Sequence, residues 1–396
     1  VSVSAAGLSR GGRWSLLTGN FAIGCGVMVV PGSLNSLTRS LDISVALAGQ
    51  LITAAALAMC LGAPLLAALL GGVDRRRLLT LALLWYALGH AASALAPDFG
   101  ALLPLRAACM LAAAVFTPQA AAAVGWLSDP SRRGRDIAFI FLGWSLASVL
   151  GMPLHSYIGE TLGWRYAFGL VAVLSLGGAL WLWNALPDQV RPPGLALRDW
   201  AQVLTHPVWM GIVAVTALSG AGQFSLFTYM APIYREVLQA DAATISLLFA
   251  WFGALGLVGN LYLGRRLDRM GPPRVVATTL CGMLLAVLAW PWAGSTVTMM
   301  LVLAPWAFSG FATNSSQQAR LTQVAPHRAS ALLALNTSAI YLGQAIGAGS
   351  GGLLVAANLQ AGRPFHAGLS WAASAWLLLA LLLSLWAARR QRRDPP

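Results

Sequence analysis

Lysine is absent from the sequence and carboxylates are scarce: all 25 basic residues are arginine, against 12 Asp and Glu in 396 residues. Charged residues make up 9% of the chain and hydrophobic ones 58%, whereas a soluble domain carries about 25% charged residues. A water-soluble fold of this composition would expose large contiguous apolar patches, so the solvent that suits the chain is lipid. Cysteine is rare as well. Cys25, Cys60, Cys109 and Cys281 stand singly inside apolar runs. Without CxxC or zinc-ligand spacing they imply neither a redox pair nor a metal centre, and they read as small packing residues. A Walker loop is missing, so ATP is not expected as the energy source. Gly24-Cys25-Gly26 lacks the rest of a dinucleotide fingerprint, and there is no nucleophile elbow. No enzyme activity and no cofactor are expected.

What is present is apolar length. Hydrophobic runs fall at 14–37, 44–70, 77–96, 101–127, 136–158 and 166–186, then at 208–231, 243–263, 274–293, 297–319, 329–357 and 367–388. Each is near the roughly 20 residues that cross a bilayer as a helix. The first run follows Arg10 and Arg13 but is too long for a signal peptide and shows no small-x-small cleavage site; an uncleaved first span is expected. The stretch from Pro187 to Pro207 is polar, with Pro192-Pro193 and an amphipathic piece from Leu195 to Leu204. The expected organisation is an N-terminal six-helix half at 1–187, a linker at 188–207 and a C-terminal six-helix half at 208–396.

The arginines support that count. With the N-terminus in the cytoplasm, twenty fall in cytoplasmic segments and four in outer ones, at Arg39, Arg165, Arg235 and Arg363; Arg106 falls inside the fourth span. A missed or extra span would scramble the asymmetry that the positive-inside rule describes. Both termini are expected to be cytoplasmic. The arginines lie in short clusters between spans, not along one polar face, so nucleic acid is not an expected partner.

The halves repeat. Gly71-Gly72-Val73-Asp74-Arg75-Arg76-Arg77 follows the second span, and Gly264-Arg265-Arg266-Leu267-Asp268-Arg269-Met270-Gly271-Pro272-Pro273-Arg274 follows the eighth, with the two aspartates 194 residues apart. Internal repeats of this kind mark transporter folds with a site near the midplane between the repeats. The second of these loops resembles the signature loop of the major facilitator superfamily; the first resembles a shortened copy. Leu102-x-x-x-Arg106, Gly151-Met152-Pro153, Gly159-Glu160-x-x-Gly163-Trp164-Arg165-x-x-Phe168, Phe227-Thr228-Tyr229-x-x-Pro232 and Leu342-Gly343-x-x-x-Gly347-x-x-x-Gly351-Gly352 resemble the bacterial drug- and sugar-efflux branch of that superfamily, the arabinose-efflux-permease-like proteins.

The resemblance implies an all-α membrane protein of twelve transmembrane helices in two six-helix pseudo-repeats, the major-facilitator fold. It further implies a secondary transporter of the bacterial inner membrane that exports a small organic compound by alternating access, drug or sugar among them, in antiport with protons. Sugar, nucleoside or amino-acid efflux without standard proton coupling is the alternative, and a non-transporting membrane sensor on the same fold is a third reading. The expected partners are the substrate, the proton and the lipid bilayer, with the protein a monomer.

One departure matters. Many members of this branch carry an acid in the first span, and here Phe21-Ala22-Ile23-Gly24-Cys25-Gly26-Val27-Met28 has Val27 in its place. All twelve acidic residues fall in loops or at helix ends, which weakens any preference for cations. Candidates for coupling and gating are therefore Asp74, Arg75, Gly264, Asp268, Arg269, Gly271 and Arg274 in the loops, the intramembrane Arg106, and His90, His155 and Asp136 near span ends. Polar and aromatic residues near mid-span are the substrate candidates: Asn20, Met28, Gln119, Trp144, Gln223, Phe224, Tyr229, Trp306, Asn314, Gln317, Asn336, Tyr341 and Gln344. A mid-membrane amide must face protein or a wet cavity, so each of these is equally readable as a tie between helices.

Overall fold

A computed structural model describes residues 8–129, 132–191, 203–325 and 328–393, of which 68, 134, 268, 330, 392 and 393 are described by their backbone alone. Residues 192–202 of the expected linker, with Pro192-Pro193 and most of the amphipathic piece, lie outside the described residues, as does the side chain of Asp268.

Helices make up the regular structure, and among the described residues no strand is present. In the first half these are α1 (Arg10–Leu41), α2 (Val45–Leu69), α3 (Arg75–Ala94) and α4 (Phe99–Leu127). Next comes α5, built of Arg133–Leu146, a π-helical turn Ala147–Gly151 and Met152–Thr161, and then α6 (Trp164–Ala185). In the second half α7 runs Pro207–Phe227 and resumes at Met230–Val237. It is followed by α8 (Ala242–Met270), α9 (Pro272–Ala289), α10 (Thr296–Val324), α11 (Ala329–Gln360) and α12 (Leu369–Arg393). Eleven of the twelve are long and apolar enough to cross a membrane. The exception is α3, whose arginine-rich first turn and His90 dilute an otherwise apolar 20-residue helix.

Local chemistry explains where these helices start and bend. Side chains of Ser9, Ser44, Asp74, Asp98, Asp241 and Ser295 each accept a backbone N–H of the following first turn, satisfying donors a helix leaves free. Gly271, at φ 77°, joins α8 to α9, a backbone region a side chain would strain. Prolines interrupt the spans. Pro31 removes the N–H that would bond Val27 O. Pro232 does the same to Thr228 O, and α7 breaks at Thr228–Tyr229. On α5 the Met152 N–H reaches back to Ala147 O, giving the π-turn just ahead of Pro153.

Each half is knit by close backbone contact. A Cβ on Gly143 would overlap Leu17 O and Phe21 N of α1, and one on Gly343 would overlap Ala217 O of α7. The same pairing thus recurs in the two halves, α1 on α5 and α7 on α11. Gly347 and Gly351 continue the second contact one and two turns on, against Ala221 and Ser225. Small residues at this spacing let helices approach closely.

Candidate functional site

Alternation of the twelve spans puts both described ends of the chain on one face of the bundle, called here the termini face; the opposite is the far face. Accessible side chains on α1 and α7 are confined to part of each helix. On α1 they are Trp14, Thr18, Phe21 and Met28, and from Val29 to Leu37 every residue is buried. On α7 they are Met210, Ala214, Leu218, Phe224 and Phe227, and from Thr228 to Tyr234 every residue is buried. Both stripes start at the termini face and stop at about the same depth. Beyond Met28 and Phe227 both helices are buried, as far as Leu37 and Tyr234.

Closure comes from contacts between the halves on the far side. Asn35 Nδ2 on α1 donates to Ala231 O on α7 at 3.2 Å, and Ser246 Oγ on α8 donates to Pro153 O on α5 at 2.8 Å. Arg235 on α7 pairs with Glu160 at the end of α5. Gly253 of α8 lies directly on the Ser148 carbonyl of the α5 π-turn. Tyr229, fully buried at the α7 break, donates to Ala348 O at 2.9 Å and packs against Gly49 of α2 and Gly352 of α11. It belongs to this closure and not to the accessible part of α7.

The first half contributes a polar wall. Trp144 Nε1 donates to Thr117 Oγ1 at 3.3 Å, Thr117 Oγ1 to Asn20 Oδ1 at 2.9 Å, and Asn20 Nδ2 to Ile140 O at 3.1 Å. This chain ties α1, α4 and α5. Asn20 is fully buried within it and Trp144 is partly accessible. In the second half Thr216 Oγ1 donates to Asn336 Oδ1 at 2.6 Å and receives Gln317 Nε2 at 3.3 Å, which also donates to Ile212 O at 2.9 Å. Gln317 and Asn336 thus tie α7, α10 and α11. Gln119, Asn314, Tyr341 and Gln344 make no hydrogen bond among the described residues, and none of their polar atoms is sealed from solvent.

The second half contributes an aromatic wall. Phe224 meets Phe227 at 5.3 Å between centroids, Phe227 meets Phe252 at 5.7 Å, and Phe252 meets Trp306 at 5.5 Å. Trp306 Nε1 donates to Gln223 Oε1 at 3.2 Å, and Gln223 Nε2 to Ser219 Oγ at 3.3 Å. Gln223 and Phe224 are half-buried and Trp306 is fully buried.

Arg106 does not reach for the membrane surface. It is 1% exposed. Its Nη2 donates to Gly26 O at 2.7 Å and, at 3.5 Å, to the Val27 O that Pro31 leaves free. Its Nη1 faces His90 Nε2 at 3.2 Å. A guanidinium has only donors, so His90 Nε2 accepts and Nδ1 carries the hydrogen, donating to Tyr86 O at 2.9 Å. His155 is equally buried, but neither ring nitrogen has a hydrogen-bond partner among the described residues. Asp136 accepts from Arg13 Nη1 at 3.0 Å and from Ser128 Oγ at 2.9 Å, inside the first half.

In the signature loops, Asp74 is 5% exposed. Its Oδ1 caps α3 through the Arg77 N–H at 3.1 Å, and its Oδ2 accepts the Val190 N–H at 2.7 Å. The Arg75 N–H returns to Val190 O at 2.9 Å, and its guanidinium donates to Val73 O and Gly71 O. The first loop therefore grips the chain leaving α6. In the second loop Gly264, Arg269 and Arg274 are exposed and Gly271 makes the turn. Asp74→Ala is expected to speed proteolytic cleavage between the halves several-fold and to cost about 1 kcal/mol of stability through the lost cap; limited proteolysis of detergent-purified protein reads the first and a thermal melt the second.

Sequence reasoning passed over Glu160 because a lone acid at a helix end reads as solvated. A signal was available: a carboxylate in the last turn of a helix opposes the helix dipole and calls for a cation nearby.

Comparison with known proteins agrees with this architecture. The profile of the Major Facilitator Superfamily matches residues 16–348 and 212–396. The inner membrane transport protein YdhP of Escherichia coli O157:H7 is 30% identical over 95% of this chain and 96% of its own. A probable sugar efflux transporter of Helicobacter pylori is 27% identical over 81% of each. Among solved structures, a bacterial homologue of the human lysosomal transporter Spinster, inward-facing and occupied, superposes with a TM-score of 0.75 at 16% identity, covering 97% of this chain and 98% of that one.

Proposed function

The chain belongs to the Major Facilitator Superfamily, and on that premise we propose that this multi-pass transporter exports a small, uncharged, amphipathic organic compound by alternating access. Its halves, 1–187 and 208–396, rock against one another. Both termini lie in the cytoplasm of a bacterial cell, in its inner membrane, and proton antiport is the coupling the family resemblance implies. The observation that carries this reading is the set of contacts between the halves on the far side, beyond Met28 and Phe227, with α1 and α7 accessible nearer the termini face.

The lining supports the substrate class. Phe224, Phe227 and Trp144 offer faces for an apolar or aromatic body, while Gln119, Asn314, Tyr341 and Gln344 hold unpaired polar groups for its hydrogen bonds. A pocket of this type binds by apolar contact and is oriented by a few polar groups. No carboxylate stands among these residues, and the two fully buried arginines among the described residues are engaged elsewhere, Arg106 by α1 carbonyls and His90 and Arg320 by Ser384 and Gln391. Purified protein in proteoliposomes is expected to show counterflow with neutral sugars, nucleosides or aromatic amides and little with their cationic analogues. Absence of flux across a broad compound panel, under both a proton gradient and counterflow, would sink the reading.

A further inference from the structure

The two halves carry the same triplet of helices at one shift. Moving α2, α3 and α4 along by 197 residues sets Val45, Arg75 and Phe99 on Ala242, Pro272 and Thr296, the starts of α8, α9 and α10. Burial keeps the same register: Leu79, Leu83 and Tyr86 of α3 fall on Val276, Leu280 and Met283 of α9. Against this register one surface feature differs. In the first half Trp85 lies across from α3 onto α4, its Nε1 donating to Ala108 O at 2.9 Å. The counterpart of Trp85 is Gly282, and that of Ala108 is Pro305. Where the first half has an indole, the second has a groove of about 400 Å³ between α8, α9 and α10, lined by Gly282, Pro305, Phe308 and Ser309 among others.

This groove faces the bilayer and not the other half. α9 packs on α8, α10 and α12, and its outer side exposes Thr278, Cys281 and Leu285. At the termini-face end the surroundings turn cationic. The positions of Leu65 and Leu69 on α2 are taken by Tyr262 and Arg266 on α8. The Arg266 guanidinium lies 4.6 Å over the Tyr262 ring, and that ring is 5.8 Å from the ring of Phe308 in the groove. On α9, Thr278 lines the groove and donates its Oγ1 hydrogen to Arg274 O, one turn nearer the termini face, at 2.9 Å. Arg266 and Arg274 are both exposed, and neither forms an ion pair among the described residues. In sequence, the segment from Gly264 to Arg274 sets four arginines against Asp268 alone. From Arg266 to Leu255, the deepest α8 residue of its lining, the groove follows α8 for about 16 Å. That is close to half of a hydrocarbon core about 30 Å thick.

We propose that this groove binds one anionic phospholipid from the leaflet at the termini face, with an acyl chain in the place that Trp85 fills in the first half and the phosphate between Arg266 and Arg274. Apolar lining and unpaired arginines occur together in the second half, at the spacing of a lipid chain and its headgroup. A groove that one indole would fill is too narrow for a partner helix, about 10–12 Å across with its side chains. A zwitterionic lipid fits the same groove but brings its own cation to the arginines, so charge sets the preference. The site does not depend on the transport reading.

The probe is phosphatidylglycerol with a photoreactive group midway along one acyl chain, added to the purified protein in detergent, with cross-linked peptides located by mass spectrometry. Label is expected on α9 and α10 around Gly282 and Pro305. Unlabelled phosphatidylglycerol should displace it about tenfold better than phosphatidylcholine. Gly282→Trp combined with Ser309→Ala sets up the pair that the first half has as Trp85 and Ala112, and removes the Ser309 Oγ that an added Cβ would approach to 2.5 Å. Labelling of the groove should then fall by about tenfold or more. Arg266→Leu keeps the groove and should cut the preference for phosphatidylglycerol about fivefold, the share of one arginine at an anionic surface. This second variant changes an exposed side chain and decides the matter if the first does not fold. Label spread evenly over the lipid-facing helices of both halves, labelling unchanged by the filled groove, equal displacement by the two lipids, or a preference unchanged in Arg266→Leu overturns the proposal.

Discussion

Replacing Arg106 by glutamine should abolish transport while the protein still inserts. Flux in proteoliposomes is expected to fall by about two orders of magnitude or more, and the purified protein should lose about 1–3 kcal/mol of stability, the cost of leaving buried acceptors unsatisfied. The reason is geometric. Pro31 takes away the donor that Val27 O would use, and Arg106 stands where that donor is missing, its Nη2 between Gly26 O at 2.7 Å and Val27 O at 3.5 Å. Arg106 thereby holds α1 at the depth where its accessible face ends, next to Met28. Lysine cannot substitute, since a single ammonium on a flexible stem does not fork to α1 and His90 together. His90→Gln should be milder, and the double variant should fall short of the sum of the two, because the residues share one hydrogen bond at 3.2 Å. An Arg106→Gln protein that transports at the wild-type rate would show that the α1 contact is packing only.

Most of the architecture was legible in the sequence because lipid enforces it. Twelve apolar runs became twelve helices, and the arginine clusters between them follow the same alternation. Even α3, whose charged first turn makes it the least apolar span, was marked by its length and its place in the count. The paired glycines of α5 and α11 could be read as close contacts, though not which helix they met. Breaks inside spans were harder. Pro31, Pro153 and Pro232 announce missing N–H groups, but only the fold tells that a guanidinium takes up the first, a π-turn precedes the second and the third leaves Tyr229 inside the closure.

The lining of the candidate site was legible only in part. Asn20, Gln317 and Asn336 tie helices together, while Gln119, Asn314 and Gln344 have no hydrogen-bond partner among the described residues. One residue type at one depth serves either purpose, because an amide must avoid lipid in both cases. Glu160 was hidden for a different reason. Its value lies in two arginines that are remote in sequence, 121 and 75 residues away, and single-residue reasoning sees only an acid at a helix end.

Gly253→Leu should trap the protein with its far side open, the opposite of the conformation described above. Gly253 sits on α8 where it crosses the π-turn of α5, and an added Cβ would lie 2.5 Å from Ser148 O and 2.9 Å from Val149 Cα. Both neighbours are backbone, so neither can rotate away. Ordinary overpacking costs about 1–3 kcal/mol by forcing such a shift. Here the collision is between halves, and the molecule can escape it by parting them. Opening the far side costs the Asn35 to Ala231 and Ser246 to Pro153 hydrogen bonds and the Arg235 to Glu160 pair. Two hydrogen bonds at about 1 kcal/mol each and a pair of which the arginine is partly solvated are of the same order as the strain. The substitution should therefore move the equilibrium without unfolding either half, and the side chain of leucine should move it further than that of alanine. Transport should stop in both proteoliposome assays, net flux and counterflow, because each requires passage through the far-closed state. The same substitution at Gly177, on α6 with nothing within 4 Å of an added Cβ, should leave transport within about twofold of wild type. If Gly253→Leu leaves the distance between the far-face loops unchanged and flux intact, then the α5–α8 crossing is not part of the moving interface, and the rocking of the halves must pivot elsewhere.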